Sequence, residues 1–293
     1  MILPEVSVVI RSHNDAGLIG RTLAEVDRQK YPHRIQRIHI DNDSTDGTRE
    51  AIEKFGYGRL LHVPAGEYVP GRVLNQGMEE CSDPWVVFLN SDAPPTHAEW
   101  LQELMTAAVS RPKIGAAFSR QIPRPDCEAV YAHDYDRCFG PNRESDRWPH
   151  FFSMVSSVVN REAWEQHRFR EDLQYSEDEE WTYRLKRNGW EIQYAERSVV
   201  EHSHNYTFAQ AYRRKYGEGF ALPNSTDRGP GDFGFVRSVV LGVARDAIRD
   251  FQYCSRQGRL AEWLHACAIR YAQRSGARRG FLDGWLHYRH KGR

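Results

Sequence analysis

Trp85-Val-Val-Phe-Leu-Asn-Ser-Asp-Ala-Pro-Pro95 carries the clearest structural signal in the chain. Its first five residues are apolar and rich in β-branched and aromatic types, which predicts a strand buried on both faces. The strand ends in the polar group Asn90-Ser-Asp92. Such a sequence is typical of a parallel sheet, in which ligands bind at the carboxyl ends of the strands.

The same pattern, a buried strand followed by a polar loop, occurs twice earlier in the chain. Residues 6–10 lead into Arg11-Ser-His-Asn-Asp15, and residues 35–40 lead into Asp41-Asn-Asp-Ser-Thr-Asp-Gly47. Segments with helical spacing of apolar residues separate the strands. This alternation predicts an α/β fold with a mostly parallel central sheet flanked by helices, and the three polar loops should share one edge of that sheet.

Beyond residue 111 the pattern is less regular. Residues 122–150 are rich in Pro, Asp, Tyr and Arg and predict a long loop region. The remaining predictions are strands at 115–119, 190–194 and 198–201, helices at 176–188 and 206–216, a hinge at 224–234, and two amphipathic helices broken near Gly258.

The charge balance excludes some classes of protein. The chain has 293 residues, and 40 Lys plus Arg offset 40 Asp plus Glu, which argues against a nucleic-acid partner. The balance hides an asymmetry, because residues 236–293 carry a net charge of about +8 and the rest about −8. No uncharged apolar run approaches the roughly 20 residues that span a bilayer.

The cysteines indicate a reducing environment. There are five of them, an odd number, and none forms a C-x-x-C pair. Neither a disulfide framework nor a zinc ribbon is expected, and a cytoplasmic location fits best.

Two further segments carry chemistry. Ser176-Glu-Asp-Glu-Glu-Trp181 places four carboxylates at a helix start, more than the helix dipole needs, and one of them could act as a general base because nearby like charges raise a carboxylate pKa. His202-Ser-His204 follows a predicted strand with a spacing that suits a metal ion, the alternative being structural histidines. Asp92 is the best carboxylate ligand for Mg²⁺ or Mn²⁺, the alternative being a turn former.

These motifs resemble the inverting family-two glycosyltransferases of the GT-A fold, and among them the bacterial rhamnosyltransferases. The resemblance runs from about residue 6 to about residue 220. Its motifs occur in the family's order: Ser7–Asn14, Ile40–Thr48, Gly71–Gly77, Phe88–Pro95, Ser119–Pro125, Glu177–Trp181 with Arg184, and Val200–Tyr206. The chain departs from the pattern at Leu74, where the family has an arginine that Arg72 could replace, and at Asn90, where the D-x-D motif has its first aspartate.

The resemblance also implies roles for individual residues. Asp178 would be the catalytic base, and Asp92, His202 and His204 would hold Mg²⁺ or Mn²⁺. Asp41 would contact the nucleobase. The implied nucleotide-sugar contacts are Arg11, His13, Asn14, Asp41, Asp43, Arg72, Asn90, Ser91, Asp92, Trp181 and Arg213, the last with a solvated basic face as its alternative.

The implied activity is metal-dependent, inverting hexosyl transfer from a nucleoside-diphosphate sugar. Subgroup resemblance favours L-rhamnose from dTDP-rhamnose and a hydroxyl of a glycan or lipid-linked acceptor, in cell-surface polysaccharide synthesis at the inner face of the membrane. The alternatives are a UDP-hexose donor and a catalytically silent nucleotide- or carbohydrate-binding module, which Asn90 favours. A nucleotidyltransferase or a dinucleotide-dependent oxidoreductase would have a Gly-rich loop after the first strand, and this chain has none there.

The expected organisation has two parts. Residues 1–220 would form the GT-A catalytic domain, with a nucleotide-sugar half at 1–95 and an acceptor and catalytic-base half at 96–220. Residues 221–293 would form a hinge loop followed by basic amphipathic helices. These helices predict a peripheral membrane contact, a lipid-linked acceptor or a homo-oligomer contact through residues 236–293, with a solvated face as the alternative.

Overall fold

The computed structural model describes residues 2–56 and 58–290. Lys291 and Arg293, two of the basic residues in the charge balance above, lie outside the described residues. By packing, the chain forms two compact units. The first comprises the chain up to Ile122, Asp146–Leu173 and Glu177–His202, and the second comprises Pro123–Ser145, Gln174–Ser176 and the chain from Ser203 onward. The division by function into residues 1–220 and 221–293 stays a prediction.

The first unit is built on a mixed, seven-stranded sheet. Its strands are β1 (Val6–Ser12), β2 (Gln36–Asn42), β3 (Arg59–Val63), β4 (Trp85–Asn90), β5 (Ile114–Ile122), β6 (Ser156–Asn160) and β7 (Glu191–Glu201). The strand order is β3-β2-β1-β4-β6-β5-β7. Only β6 runs antiparallel to its neighbours, so the predicted mostly parallel α/β sheet is confirmed.

The strand register brings the polar loops to one edge. Ser12 at the end of β1 pairs with Asp41 of β2, and Arg11 pairs with Asn90 of β4. Because β6 is antiparallel to both β4 and β5, strands β5 and β7 point in the same direction as β4. The segments that follow β1, β2, β4 and β7 therefore all leave the sheet at its carboxyl edge, and the predicted sharing of one edge by the first three loops is confirmed.

The described residues of the two units contain ten α-helices. They are α1 (Ala16–Asp27), α2 (Thr48–Lys54), α3 (Pro70–Glu79), α4 (Trp100–Ala108), α5 (Ala129–Phe139), α6 (Arg161–Gln166), α7 (Glu177–Arg187), α8 (Phe208–Ala221), α9 (Leu241–Arg256) and α10 (Trp263–His290). The apolar stripe of α1, which contains Ile19, Leu23 and Val26, is fully buried in one cluster with Val8 and Ile10 of β1. Removal of this apolar surface from water stabilises the unit.

Two local predictions need correction, and three elements were not predicted. The loop predicted over residues 122–150 contains helix α5, whose Val130 and Ala132 pack with Ile269 of α10 in the second unit. The two short strands predicted at 190–194 and 198–201 form one strand, β7, with an irregularity opposite Ser119 and Arg120. Strand β6 and helices α4 and α6 had no counterpart in the predictions.

The second unit is helical and contains α5, α8, α9 and α10. The predicted break between the last two helices is confirmed, and Gly258 lies in it with a φ of +69°. The 3-10 turn Pro230–Phe233 lies within the predicted hinge and the turn Leu222–Asn224 ends at its first residue; the mobility of the hinge stays a prediction. None of the described helices combines the length and apolar character needed to cross a bilayer.

Glycines bring α10 against α8 at backbone distance. A Cβ built on Gly276 would lie 2.4 Å from the carbonyl oxygen of Tyr212. A Cβ built on Gly280 would lie 2.0 Å from the carbonyl oxygen of Tyr216, and one built on Gly284 would lie 2.1 Å from that of Phe220. No side chain larger than hydrogen fits at these three positions unless the helices move apart.

A buried ionic network joins α5, α9 and α10. Arg270 donates to both carboxylate oxygens of Asp250, at 2.7 and 2.9 Å, and to Asp134 at 2.8 Å. His133 lies 2.6 Å from Asp250 on the other side. Burial alone would raise the pKa of Asp250, but hydrogen bonds from Arg270 and His133 outweigh it and hold that pKa below its usual range.

Candidate active site

Asp41 anchors the loop that follows β2. Its buried carboxylate accepts hydrogen bonds from the Ser12 hydroxyl at 2.7 Å and from the Ser44 hydroxyl at 2.6 Å. The Ser44 amide also donates to it, at 2.9 Å. These bonds tie the ends of β1 and β2 together before any ligand binds, which reduces the conformational entropy that a ligand must remove.

His13 and Asn14 extend this link between the two loops. The Nδ1 of His13 lies 2.5 Å from the carbonyl of Asn42. Asn14, at a positive φ of 54°, donates its amide to the Ser44 hydroxyl and accepts at Oδ1 from the Thr45 amide, both at 2.9 Å. The side chains of His13 and Asn14 are exposed. Because these bonds link the two loops, His13, Asn14 and Asp41 lie together at one rim of the sheet.

Asp43 and Arg72 face other partners. Asp43 has a φ of 48° and places its carboxylate 3.5 Å from Nε2 of His62. Arg72 lies on α3 with its guanidinium 3.7 Å from Glu171, and both side chains are about half exposed. None of these contacts links Arg72 to the rim of the sheet where His13, Asn14 and Asp41 lie.

Asn90 is the partner of Arg11. The guanidinium of Arg11 donates to Oδ1 of Asn90 at 2.7 Å and to the carbonyl of Met154 at 2.9 Å. The amide that replaces the motif's first aspartate is therefore held by a cation. Next to it, the buried Ser91 donates its hydroxyl to the carboxylate of Asp15.

Asp92 and His202 meet where the segments after β4 and β7 leave the sheet. Both side chains are more than nine-tenths buried, and Nε2 of His202 lies 3.5 Å from the carboxylate of Asp92. On the far side of the ring, Nδ1 is 3.0 Å from Oε1 of Gln121, whose Nε2 donates to Ser153 at 2.8 Å. Because that amide oxygen can only accept, Nδ1 of His202 carries a proton, and in the neutral ring it is Nε2 that has the lone pair on the side of Asp92.

Two other predicted residues belong to the second unit. His204 follows His202 by two positions, after the boundary at Ser203, and is half-buried. Arg213 is an exposed residue of α8.

The four carboxylates at the start of α7 have different environments. Glu180 is buried and forms a bidentate pair with Arg184, at 2.7 and 2.9 Å, so its charge is already compensated. Asp178 is half-buried in the first turn, and its Oδ1 accepts from the amide of Glu179 at 2.8 Å. The structure thus removes Glu180 from the candidates for a general base.

Trp181 lies in the core. It is fully buried, stacks on Phe169 with ring centroids 4.7 Å apart, and donates its indole N–H to the carbonyl of His167 at 2.5 Å. A side chain without exposed surface cannot contact a donor in this arrangement. Full burial of the indole does not fit the predicted donor contact, and its packing instead holds the first turns of α7, which contain Asp178.

Two residues near this edge, Gln121 and Tyr68, were not among the predicted site residues, although Gln121 lies within the motif Ser119–Pro125. Burial raises the pKa of the half-buried Tyr68, while Arg11 opposes that shift and Glu177 adds to it. The phenol therefore lies within electrostatic reach of both the end of β1 and the start of α7. Only a polar residue at the penultimate position of a core strand, as Gln121 is in β5, could have served as a signal.

A cavity of about 860 Å³ opens at the opposite edge of the sheet, next to the amino-terminal ends of β1 and β2. Its lining includes Glu5, Arg34, Arg37 and Arg59 and none of the predicted site residues. The buried Asp92–His202 pair and the linked loops instead favour the carboxyl edge, which is also where ligands bind in parallel sheets.

The mixed seven-stranded sheet flanked by helices is an α/β fold of the GT-A type. Residues 7–168, more than half of the chain, match the family described as glycosyl transferase family 2, and the chain belongs to that family. The protein is therefore a glycosyltransferase, and an inverting mechanism is typical of the family.

Two curated relatives cover most of the chain. The O-antigen chain rhamnosyltransferase WbaN of Salmonella anatum is 25% identical over 228 residues, which are 74% of this chain and 72% of that protein. RfbN of Salmonella typhimurium, an O-antigen chain rhamnosyltransferase, is 24% identical over 227 residues, 73% of this chain and 71% of RfbN. The predicted rhamnosyltransferase-like character is confirmed at this level.

Among solved structures, the mannosyltransferase PcManGT from Pyrobaculum calidifontis, in complex with GDP-Man and Mn²⁺, has a similar fold. The TM-score is 0.66 at 18% identity, and the match covers 98% of this chain and 88% of that one. At this identity the similarity concerns the fold alone.

Proposed function

We propose that this glycosyltransferase moves L-rhamnose from dTDP-rhamnose to a hydroxyl of a glycan or lipid-linked acceptor, in cell-surface polysaccharide synthesis. The two rhamnosyltransferase relatives support the sugar and the glycan acceptor. We further propose that it acts in the cytoplasm at the inner face of the membrane. The observation that carries the proposal is the meeting of two linked nucleotide loops and the buried Asp92–His202 pair at one sheet edge.

The donor set at this edge fits Mg²⁺ or Mn²⁺. The lone pair of His202 and the carboxylate of Asp92 are two acceptors 3.5 Å apart, and a cation between them would turn their repulsion into ligation. We assign Asp92 and His202 as ligands, and His204 as a third from its H-x-H spacing. When bound, the cation would offset the charge that develops on the leaving diphosphate.

Asp178 is the proposed general base. It lies in the first turn of α7, where Trp181 fixes the helix and Glu180 is already paired. Its carboxylate takes the proton of the acceptor hydroxyl while the oxygen attacks the anomeric carbon from the face opposite the diphosphate. The bond between the anomeric carbon and the phosphate oxygen breaks with its electron pair on the nucleoside diphosphate, and the configuration inverts.

The linked loops hold the donor in this proposal. Asp41 retains acceptor capacity for the nucleobase beyond its bonds to Ser12 and Ser44, since a carboxylate has about four lone-pair sites. The further proposed contacts are His13, Asn14, Asp43, Arg72, Ser91, Arg213 and the Arg11–Asn90 pair. Arg11 and Arg213 supply positive charge for the diphosphate.

Donor titration tests the proposal. Purified protein is titrated calorimetrically with dTDP-rhamnose, UDP-glucose, UDP-galactose and GDP-mannose, with and without Mn²⁺. We expect dTDP-rhamnose to bind at least tenfold more tightly than the other three, and only with the metal. Preference for a UDP-hexose would replace the rhamnose assignment with the alternative donor.

Substitution of the base separates transfer from binding. Asp178→Asn should lower the transfer rate by at least a hundredfold and leave donor affinity within about threefold, because the amide keeps the shape but cannot take a proton. Glu179→Gln, at the adjacent half-buried acid, is the matched control and should retain transfer. If Asp178→Asn transfers at the wild-type rate, the base assignment is wrong.

A catalytically silent binding module is the second candidate, and the observation that favours it is Asn90. In that case the donors would bind without turnover in the wild-type protein. The pairing of Asn90 with Arg11 argues against it, because the amide has a positioning role that does not require a charge.

A further inference from the structure

The exposed face of α9 carries an apolar stripe from Leu241 to Phe251. Leu241, Ile248 and Phe251 are 59%, 62% and 46% exposed, and Ala244 between them is also exposed. Their spacing of three, four and three residues places them on one stripe of the helix. The turn that leads into α9 adds Phe235, Val236 and Val240, all exposed.

One flank of this stripe is cationic. Arg245, Arg249 and Arg256 are four and seven residues apart and so lie along the same side of α9. Arg245 is 57% exposed and 3.6 Å from Asp246, and Arg249 is 40% exposed and 3.5 Å from Glu144. At these distances and exposures the ion pairs contribute little to stability, and the guanidinium groups stay accessible to a ligand.

The acidic residues of α9 point the other way. The helix has two, Asp246 and Asp250, and both are buried. Asp246 pairs with Arg274 at 2.6 Å, and Asp250 pairs with Arg270 at 2.7 Å. The outer face of α9 therefore presents apolar and positive groups together and no carboxylate of its own.

We infer that this face of α9, formed by Leu241, Ala244, Ile248 and Phe251 and flanked by the three arginines, binds the surface of a bilayer that contains anionic lipid. The apolar side chains would enter the boundary between headgroups and acyl chains, and the arginines would reach the phosphates. The helix lies in the plane of the membrane and does not cross it.

Charge complementarity favours a lipid surface over a second copy of this chain. A two-fold interface pairs a patch with itself, so it would bring the three arginines of both protomers into one interface of like charge, and an antiparallel pair of α9 helices would oppose them directly. Anionic headgroups provide the opposite charge over the whole face. The inference does not depend on the donor or on the identity of the catalytic base.

Vesicle sedimentation of the full chain tests the inference. We expect binding to vesicles of equimolar phosphatidylcholine and phosphatidylglycerol, weak binding to phosphatidylcholine alone, and a decrease as salt is raised. Changing Arg245, Arg249 and Arg256 together to glutamine should lower the partition coefficient by about a hundredfold, since each basic side chain contributes roughly a factor of five.

The apolar stripe is tested separately. Ile248→Glu combined with Phe251→Glu should reduce binding by at least tenfold, because it places two charges where apolar surface would be buried. Phe55→Glu is the matched control at an exposed aromatic residue of the first unit, and Arg197→Gln is the control for the arginines; both should bind as wild type. Circular dichroism confirms that each variant is folded.

Two results would overturn the inference. One is wild-type binding to the anionic vesicles by both the arginine variant and the glutamate variant. The other is the absence of vesicle binding by the wild type together with a dimer, in sedimentation velocity, that the Ile248→Glu and Phe251→Glu changes dissociate, which would assign this face to a second copy of the chain.

Discussion

Replacing Gln121 with leucine should weaken metal binding without touching a metal ligand. Gln121 is buried, and its Oε1 accepts from Nδ1 of His202 at 3.0 Å. Leucine has a similar volume and no acceptor, so the imidazole proton is free to move to Nε2, where it donates to Asp92. A ring in that tautomer has no lone pair to offer a cation at the Asp92 side.

The expected size follows from the loss of one orienting hydrogen bond. Removal of such a partner typically costs about 10- to 100-fold in metal affinity, equivalent to about 1.4–2.7 kcal/mol. Calorimetric titration with Mn²⁺ measures the change in Kd directly. Transfer assays over a range of Mn²⁺ concentrations should show that saturating metal restores kcat to within about threefold, because the ligands themselves are intact.

Ser153→Ala is the matched control. It removes the hydroxyl that accepts from the Gln121 amide at 2.8 Å but keeps the oxygen that faces His202. We expect a change in Mn²⁺ affinity of less than about tenfold. Wild-type Mn²⁺ affinity in Gln121→Leu would show that this glutamine does not set the tautomer, and a kcat that saturating metal cannot restore would indicate a general structural defect.

Three further predictions concern other parts of the chain. Gly280→Ala should lower the free energy of unfolding by at least about 1 kcal/mol in urea titrations, because its Cβ would lie 2.0 Å from the Tyr216 oxygen and overpacking outweighs the gain in helix propensity. At Gly20 in α1 the nearest atom to an added Cβ is 3.9 Å away, so Gly20→Ala should instead raise the free energy of unfolding by about 0.5–1 kcal/mol. Equal effects of the two substitutions would contradict the packing argument. Burial lowers the pKa of His39 to about 4, so below about pH 6.5 the unfolded chain takes up a proton that the folded one does not, and stability should fall by about 2 kcal/mol between pH 7.5 and pH 5. His39→Leu should remove this fall in the free energy of unfolding between pH 7.5 and pH 5. An unchanged dependence of stability on pH in the variant would show that His39 does not cause it. Asn90→Asp should change Mn²⁺ affinity less than about fivefold, because the new charge meets the guanidinium that the amide already contacts, and a hundredfold rise would show that residue 90 reaches the metal.

The parallel half of the sheet was predictable because apolar residues, many of them β-branched, dominate β1 and β4 and alternate with polar ones in β2. Strand β6 was not, because Ser156-Ser-Val-Val-Asn160 is mostly polar. Its Ser156 is nevertheless fully buried, where it hydrogen-bonds to Ser119 at 2.7 Å and to the indole of Trp100 at 3.1 Å. Polar groups that satisfy one another inside the core look like loop residues in a sequence.

The candidate site likewise contains some residues that could be predicted from the sequence and others that could not. Motif spacing identified Asp92 and His202, since each follows a recognisable strand. Gln121 lies 81 positions from the histidine it orients, and only the parallel pairing of β5 with β7 brings the two together. The burial of Trp181 was equally hidden, because an aromatic residue on a helix has the same sequence signal on the inner and the outer face.

The glycines of α10 also restrict how that helix can slide along α8. They recur every fourth residue, as do the carbonyl groups of Tyr212, Tyr216 and Phe220 that they contact. A shift by a single residue would bring Ala277, Phe281 and Trp285 against those carbonyls, so the glycines oppose a shift of that size. The packing of the two main chains therefore also sets where Arg213, one position after the first of these contacts, lies along α10. Within the described part of the chain, this exposed cation is positioned by the helix backbone and not by a side-chain hydrogen bond.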